Sequence, residues 1–220
     1  MISQRVIGRL SQYRRGIQDL LAEGQTHVFS HQLADLAGAT AAQVRQDMRV
    51  TGFSGSTTKG YDVKRLADCL ARFLDAPAPQ PVALVGVGNL GRAIMTFFAH
   101  RHRNLRIVAA FDVDPRKVDR TFGGATCYDI SRAEDILQRL HIRVAILAVP
   151  APEAQAVAER LVQAGVTGIL NFAPVPLHLG DGIFIEPIDM TASLEKVAFF
   201  ARGNGREQVL RPDRAAGSTS

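Results

Sequence analysis

The chain has 220 residues, 46% of them hydrophobic and 21% charged, with two cysteines and no Trp. That composition excludes a disordered or collagen-like chain and supplies apolar material for two modest cores. No run approaches the ~20 apolar residues of a membrane span, and charges interrupt MISQRVIGRL where a signal peptide needs an apolar core, so the expected address is cytoplasmic, with no membrane partner. A net charge of +5 and a pI near 9.7 permit an anionic partner without demanding one.

In chain order, residues 2–23 place Val6, Leu10, Tyr13, Ile17, Leu20 and Leu21 at helical spacing, with Gly24 as the stop. The other face of this helix carries Arg5, Arg9, Arg14 and Arg15 and reads as a solvated basic face. In HVFSHQLADLAGATAAQVRQDMRV, Ser30 is expected to cap a short helix bearing Leu33 and Leu36, and Gly38 turns the chain. Thr40 with Gln43 then forms a capping box for a second helix, so the segment reads as a helix-turn-helix. Val44 and Met48 face the core, leaving Gln43, Arg45, Gln46 and Arg49 outward, side chains of the kind that read base edges and clamp phosphates of double-stranded DNA. TGFSGSTTKGYD is expected to form a short hairpin wing with Lys59 at its tip, and a helix over 63–74 with Leu66, Leu70 and Phe73 on one face closes the unit. Pro77, Pro79 and Pro81 make a stiff extended linker.

Beyond the linker, VALVG, LRIVAAF, VAILAV and TGILNF read as buried parallel strands alternating with the helices NLGRAIMTFFAH and PEAQAVAERLVQAG, which is the pattern of an α/β, doubly wound Rossmann sheet. Gly86, Gly88 and Gly91 fall between the first strand and its helix, the context in which such a loop cradles a pyrophosphate at a helix N-terminus. Asp112 ends the second strand about 20 residues on, where a carboxylate is expected to accept the adenosine ribose hydroxyls, favouring NAD over NADP. Another adenine cofactor, such as coenzyme A or FAD, and no cofactor at all remain alternatives for the same loop. Cys69 and Cys127 lack metal-like spacing and are expected to be packing residues, so no metal site is expected.

A dehydrogenase also needs a substrate domain and a proton-transfer group. Fewer than about 40 residues follow the Rossmann unit, too few for such a domain. His141 and His178 stand alone, so no catalytic residue is assigned. Two alternatives stay open beside a regulatory reading: a small NAD-dependent oxidoreductase, and a constitutive DNA-binding protein with a structural nucleotide.

The motifs QVRQDM, VGVGNLGRA, AAFDVDPRKV, AILAVPAPEAQ, GVTGILNFAPV and EPIDMTASLEKVAFF, spread over roughly residues 5–202, make the chain resemble the Rex family of bacterial redox-sensing transcriptional repressors. The resemblance implies a homodimer whose winged-helix domain binds operator DNA and whose Rossmann domain senses NADH against NAD⁺, with NADH closing the dimer and releasing DNA. It also implies a C-terminal helix over 190–202 that swaps onto the partner subunit. The expected layout is therefore a DNA-binding domain over 1–76, a linker over 77–81, a Rossmann domain over 82–189, the swapped helix, and a disordered tail over 203–220. By position, the resemblance assigns Gly86, Val87, Gly88, Asn89, Leu90, Gly91, Phe97, Asp112, Val149, Pro150 and Asn171 to the cofactor, and Arg15 with Asp189 to a coupling ion pair.

Two departures from the family stand out. The wing has Thr51 where the family has Phe and Thr57 where it has Arg, with Lys59 carrying charge at a different place. Phe97 stands where the family has a Tyr whose hydroxyl bonds near the nicotinamide.

Overall fold

The computed structural model describes residues 2–99 and 104–202. The tail expected to be disordered lies outside them. The chain divides into two compact units, Met1–Pro79 and Gln80–Ser220.

The first unit contains α1 (Gln4–Ala22), β1 (His27–Val28), α2 (Ser30–Ala37), α3 (Ala41–Val50), β2 (Tyr61–Asp62) and α4 (Val63–Leu74). Its core joins Leu10, Tyr13 and Ile17 of α1 to Leu33, Val44, Met48, Leu66 and Leu70, the positions singled out by helical spacing. Gly38 ends α2 in the left-handed conformation at φ 58°. Thr40 Oγ1 accepts from the Gln43 amide at 3.2 Å while Gln43 Oε1 accepts from the Thr40 amide at 2.9 Å, closing the expected capping box.

Ser30 does not cap α2. Phe29 occupies the cap position, the Gln32 side chain accepts from the Phe29 amide at 2.8 Å, and Ser30 is the first helical residue. The arrangement follows from β1, which holds the chain extended through Val28 by pairing antiparallel with β2 in the register His27↔Asp62 and Val28↔Tyr61. The turn thus begins one residue earlier than a Ser cap would place it.

The second unit is a seven-stranded sheet built from β3 (Gln80–Val85), β4 (Leu105–Asp112), β5 (Thr121–Phe122), β6 (Ala125–Asp129), β7 (Val144–Leu147), β8 (Gly168–Asn171) and β9 (Phe184–Pro187), in the order β5-β6-β4-β3-β7-β8-β9. All pairings are parallel except the β5–β6 hairpin, so the order reverses at β3, between β4 and β7, which is the switch point of a doubly wound sheet. The connecting helices are α5 (Asn89–Ala99), α6 (Ala133–Arg139) and α7 (Ala151–Gln163), and α8 (Met190–Ala201) follows β9. The sheet begins at Gln80, earlier than the expected linker allowed, because the Gln80 amide donates to the Asn104 carbonyl at 2.8 Å and Pro81, which has no N–H, is accommodated at the start of a strand.

Alternate strand residues feed two apolar layers. Ala83, Val85, Ala109 and Phe111 pack with Ile136, Leu137, Ala158 and Leu161 on the face that α6 and α7 cover. Val82, Leu84, Ala110 and Ile146 pack with Ile94 and Met95 of α5 on the other, where Ile107, Val144, Leu170 and Phe172 remain only partly buried.

Candidate functional site

On α3 the capping box fixes the helix start and burial of Val44 and Met48 fixes its rotation, so Gln43, Arg45, Gln46 and Arg49 are all exposed. Arg45 Nη1 donates to Ser30 Oγ at 3.2 Å, and Arg49 Nη1 to Gln46 Oε1 at 3.2 Å, which spreads the two cations along one side. They line a groove of about 320 Å³ whose opposite wall is the segment after α3. That segment is a wing: Ser56 and Gly60 exchange backbone hydrogen bonds of 2.8 and 2.9 Å, and Ser56 Oγ accepts from the Thr58 and Lys59 amides to hold the turn. Lys59 is exposed in that turn, as expected of the wing tip.

Of the altered wing residues, Thr51 has a local role. Thr51 Oγ1 donates to the Met48 carbonyl at 2.7 Å and finishes α3, and Phe53 packs against Tyr61 with ring centroids 6.1 Å apart, supplying an aromatic two residues later than the family pattern.

Two members of the basic face of α1 are not simply solvated: Arg14 Nη1 donates to Asp75 Oδ1 at 2.7 Å, and Arg9 is drawn inward. Arg9 reaches Asp47, on the inner side of α3, by two hydrogen bonds of 2.7 Å, and Tyr13 Oη donates to the same carboxylate at 3.0 Å. Asp47 is only 1% exposed. This carboxylate holds the Arg9 guanidinium still more firmly protonated, while burial, followed by the bond to Asp47, pushes the Tyr13 phenol up to about 12. Sequence reasoning missed Asp47, whose place within a polar run gave no sign of burial.

In the second unit the glycine loop lies at the switch point. The Gly86 amide donates to the Phe111 carbonyl at 2.8 Å and φ is +96°, and a Cβ there would collide with the Ala148 carbonyl. A Cβ on Gly91 would strike the Gly86 carbonyl, so α5 is seated directly against the loop. Gly88 differs: nothing lies within 4 Å of a Cβ built on it. No protein atom accounts for a glycine there, whereas close approach of a pyrophosphate does. Asn89 and Leu90 open α5 and are exposed, and the first-turn amides of a helix have no intrahelical acceptor. A dinucleotide thus fits this cradle. Val87 contributes only backbone, its side chain being fully buried.

Asp112 has a task within the chain beside the expected ribose contact. Its Oδ2 accepts from the Val87 amide at 2.8 Å and from Lys117 Nζ at 2.9 Å, and its Oδ1 from the Asp114 amide at 2.9 Å. The carboxylate expected to receive ribose hydroxyls also takes three protein donors, because the chain turns back over it at Asp114 and places Lys117 alongside. It therefore braces the glycine loop. Burial pushes its carboxyl up, but the Asp114 amide, Lys117 and the Val87 amide together outweigh burial and hold it below the usual carboxylate range.

Asn171 is likewise engaged within the chain: it is 1% exposed, accepts from the Ala173 amide at 2.9 Å and donates to the Val175 carbonyl at 2.9 Å, shaping the loop after β8. Val149 and Pro150 follow β7 across the switch point, with Pro150 capping α7. Phe97, two turns along α5, is 49% exposed with its ring edge-on to Phe98. Cys127 lies fully buried, and burial, followed by the charge of Asp112, pushes its thiol up to about 11, so at neutral pH it is a packing group. Among the described residues no cluster of potential metal ligands occurs, and no helix is long and apolar enough to cross a membrane.

The residues expected to form the coupling pair are both exposed, Arg15 on α1 and Asp189 before α8. Asp189 has a structural task of its own, capping α8 by accepting from the Ala192 amide at 2.8 Å. Met190, Leu194, Val197, Phe199 and Phe200 of α8 are each more than half exposed, and this helix buries no residue in its own chain.

Comparison with known proteins matches a family described as a CoA binding domain to residues 78–175, and one described as "Putative DNA-binding protein N-terminus" to residues 1–48. A redox-sensing transcriptional repressor Rex from Roseiflexus sp. (strain RS-1) is 40% identical over 195 residues, covering 89% of both chains. The solved structure of RSP, a Rex-family repressor, superposes with a TM-score of 0.84 at 31% identity, covering 92% of this chain and 96% of that one. RSP has also been solved with β-NADH, at a TM-score of 0.82, and with β-NAD⁺ and operator DNA, at 0.84. The chain belongs to the Rex family of redox-sensing transcriptional repressors.

Proposed function

We propose that this chain is a homodimeric repressor that binds operator DNA through α3 and the wing and is released or retained according to the ratio of NADH to NAD⁺. The observation that carries this reading is the pairing, in one chain, of an outward basic recognition helix with a dinucleotide cradle open at Gly88. The cofactor is then an effector. Of the nucleotides this fold accepts, NAD(H) is favoured over coenzyme A because RSP, related over nearly the whole chain, binds β-NADH and β-NAD⁺.

Gln43, Arg45, Gln46, Arg49 and Lys59 form the DNA face. The loop from Gly86 to Gly91, with Val149, Pro150 and Phe97, forms the cofactor side, while Asp112 and Asn171 shape the loops around it. The exposed apolar side of α8 needs a cover, and the sheet face served by α5 alone retains partly buried apolar groups. A second copy of the chain satisfies both needs through exchange of α8 between subunits. Arg15 and Asp189 are assigned as the coupling pair. The protein acts as a cytoplasmic regulator and not as a catalyst.

Gel-shift titration tests the reading: NADH releases the DNA and NAD⁺ does not. A response to neither nucleotide overturns it in favour of a constitutive DNA-binding protein with a structural nucleotide. Sustained NADH oxidation with a panel of small carbonyl compounds would instead establish an oxidoreductase. Within the DNA face, Arg45→Ala and Arg49→Ala abolish the shift while NADH still binds, and undiminished shifts in both place recognition on another helix.

A further inference from the structure

The reading face of α3 points outward, but its position is set from behind. Three donors from α1, the Nε and Nη2 of Arg9 and the Oη of Tyr13, converge on the carboxylate of Asp47 at 2.7, 2.7 and 3.0 Å. The apolar contacts that Val44 and Met48 make with the core are non-directional and tolerate small rotations and slides. A planar guanidinium engaging both oxygens of one carboxylate does not, because two parallel hydrogen bonds define both distance and orientation. Tyr13, one turn beyond Arg9 on the same helix, adds a third fixed point. A buried ion pair supplies little net stability relative to an apolar pair of the same volume, so what this one supplies is register.

We propose that the Arg9–Asp47–Tyr13 network is the positioning element of DNA reading: it locks α3 to α1, so that the outward side chains of α3 are presented at one height and tilt, and any displacement of α1 is delivered whole to the reading face. The inference rests on the DNA-binding reading above. It gives α1, the helix that bears Arg15, a direct mechanical hold on α3. Asp47, Arg9 and Tyr13 are positioning residues.

The test uses the full-length protein and two probes, a duplex enriched from a random-sequence library by the wild-type protein with NAD⁺, and a scrambled duplex of the same composition. Arg9→Lys keeps the charge but replaces the planar fork with a point donor, so it preserves thermal stability relative to Arg9→Met. The ratio of affinities for the enriched and scrambled duplexes nevertheless falls by about tenfold, the size of one lost base-reading contact. Binding to the scrambled duplex stays within about twofold, since outward cations still meet phosphates. Tyr13→Phe, which removes one hydrogen bond and keeps the ring packed, lowers the ratio by about threefold and decides the matter should Arg9→Lys not fold. A ratio unchanged in the folded variants overturns the positioning role, leaving an ion pair that serves stability alone. A wild-type protein that enriches no sequence overturns the DNA-binding reading itself, and the role with it.

Discussion

Asp47 in the first unit and Asp112 in the second are the buried acidic residues among those described, and each stands directly behind a surface that carries function. Each accepts from three protein donors, but by different routes. Asp47 is held wholly by side chains of another helix, Arg9 and Tyr13, 38 and 34 positions away. Asp112 is held by two backbone amides and by Lys117, five positions on. Two of the Asp112 donors are local, and the third, the Val87 amide, ties the end of β4 to the glycine loop. Side-chain donors tie two independent elements, so Asp47 makes the motion of one the motion of the other.

The sharpest way to break this comparison is to remove the donor that does most. Arg9→Met leaves the Asp47 carboxylate buried with one neutral partner, a loss of about 3 kcal/mol, the lower end for a broken buried pair because the Arg9 side chain is 22% exposed. Urea unfolding should show the whole loss in the first unit. A loss below ~1 kcal/mol would mean that water reaches Asp47 and that the network is an ordinary surface pair.

Asp112→Ala removes the brace under the Val87 amide. Hydrogen bonds to a charged group contribute about 2 kcal/mol, so NADH affinity falls by roughly 30-fold in calorimetric titration. The same experiment separates bracing from direct ribose contact through the 2′-deoxyadenosine analogue of NADH. If Asp112 only braces the loop, the penalties of the mutation and of the missing hydroxyl add. Penalties that fail to add would restore the ribose contact first expected for this residue.

Asp112 and Tyr13 respond at opposite ends of the pH scale. The Asp112 carboxyl is lower in the folded protein than its usual value near 3.9, so its stabilisation is full above that pH and is lost as pH falls through the folded value. Tyr13 is raised to about 12, so its contribution is full up to about pH 10, the ordinary phenol value, and is lost as pH climbs toward 12. Tyr13→Phe should cost about 1.5 kcal/mol at neutral pH and remove the latest step of the phenolate absorbance titration. Persistence of that step in the variant would assign it to another tyrosine.

How much of this was legible in the sequence follows from how local each feature is. The capping box of Thr40 and Gln43, the inward pair Val44 and Met48, and the spacing of Gly86, Gly88 and Gly91 all lie within a few residues of chain, and the structure forms them as their chemistry dictates. Asp47 was not legible, because its partners belong to a helix read as solvated on the Arg9 side. β6 and β9 were missed for a different reason: ATCYD is short and mixed, and FIEP is a half-exposed edge strand, so neither shows the continuous apolar run that marked their neighbours. The hairpin of β5 and β6 did carry a local signal, the pair Gly123 and Gly124, both at positive φ in the turn. For Asn171 the family motif named the residue, while the bonds to Ala173 and Val175 reveal a loop-shaping task that no motif states.

A third aspartate sharpens the contrast with the smallest effect. Asp189 is exposed and accepts from the Ala192 amide as a helix cap, so unlike the buried Asp47 and Asp112 it faces solvent. By the resemblance, Phe97 stands at the position of a family Tyr whose hydroxyl is expected to bond near the nicotinamide. Restoring it with Phe97→Tyr adds one hydrogen bond, a gain of about 0.5 to 1.5 kcal/mol, or roughly two- to tenfold in affinity. If that bond is the sensing contact, calorimetry will find the gain for NADH and little change for NAD⁺, widening the ratio between them. The half-exposed Phe97 ring already sits where a hydroxyl would be hydrated, so the gain should fall at the lower end of the range. An unchanged ratio would locate discrimination in the packing around Phe97 and Pro150, making this repressor a sensor of ring shape and charge and not of a hydrogen bond.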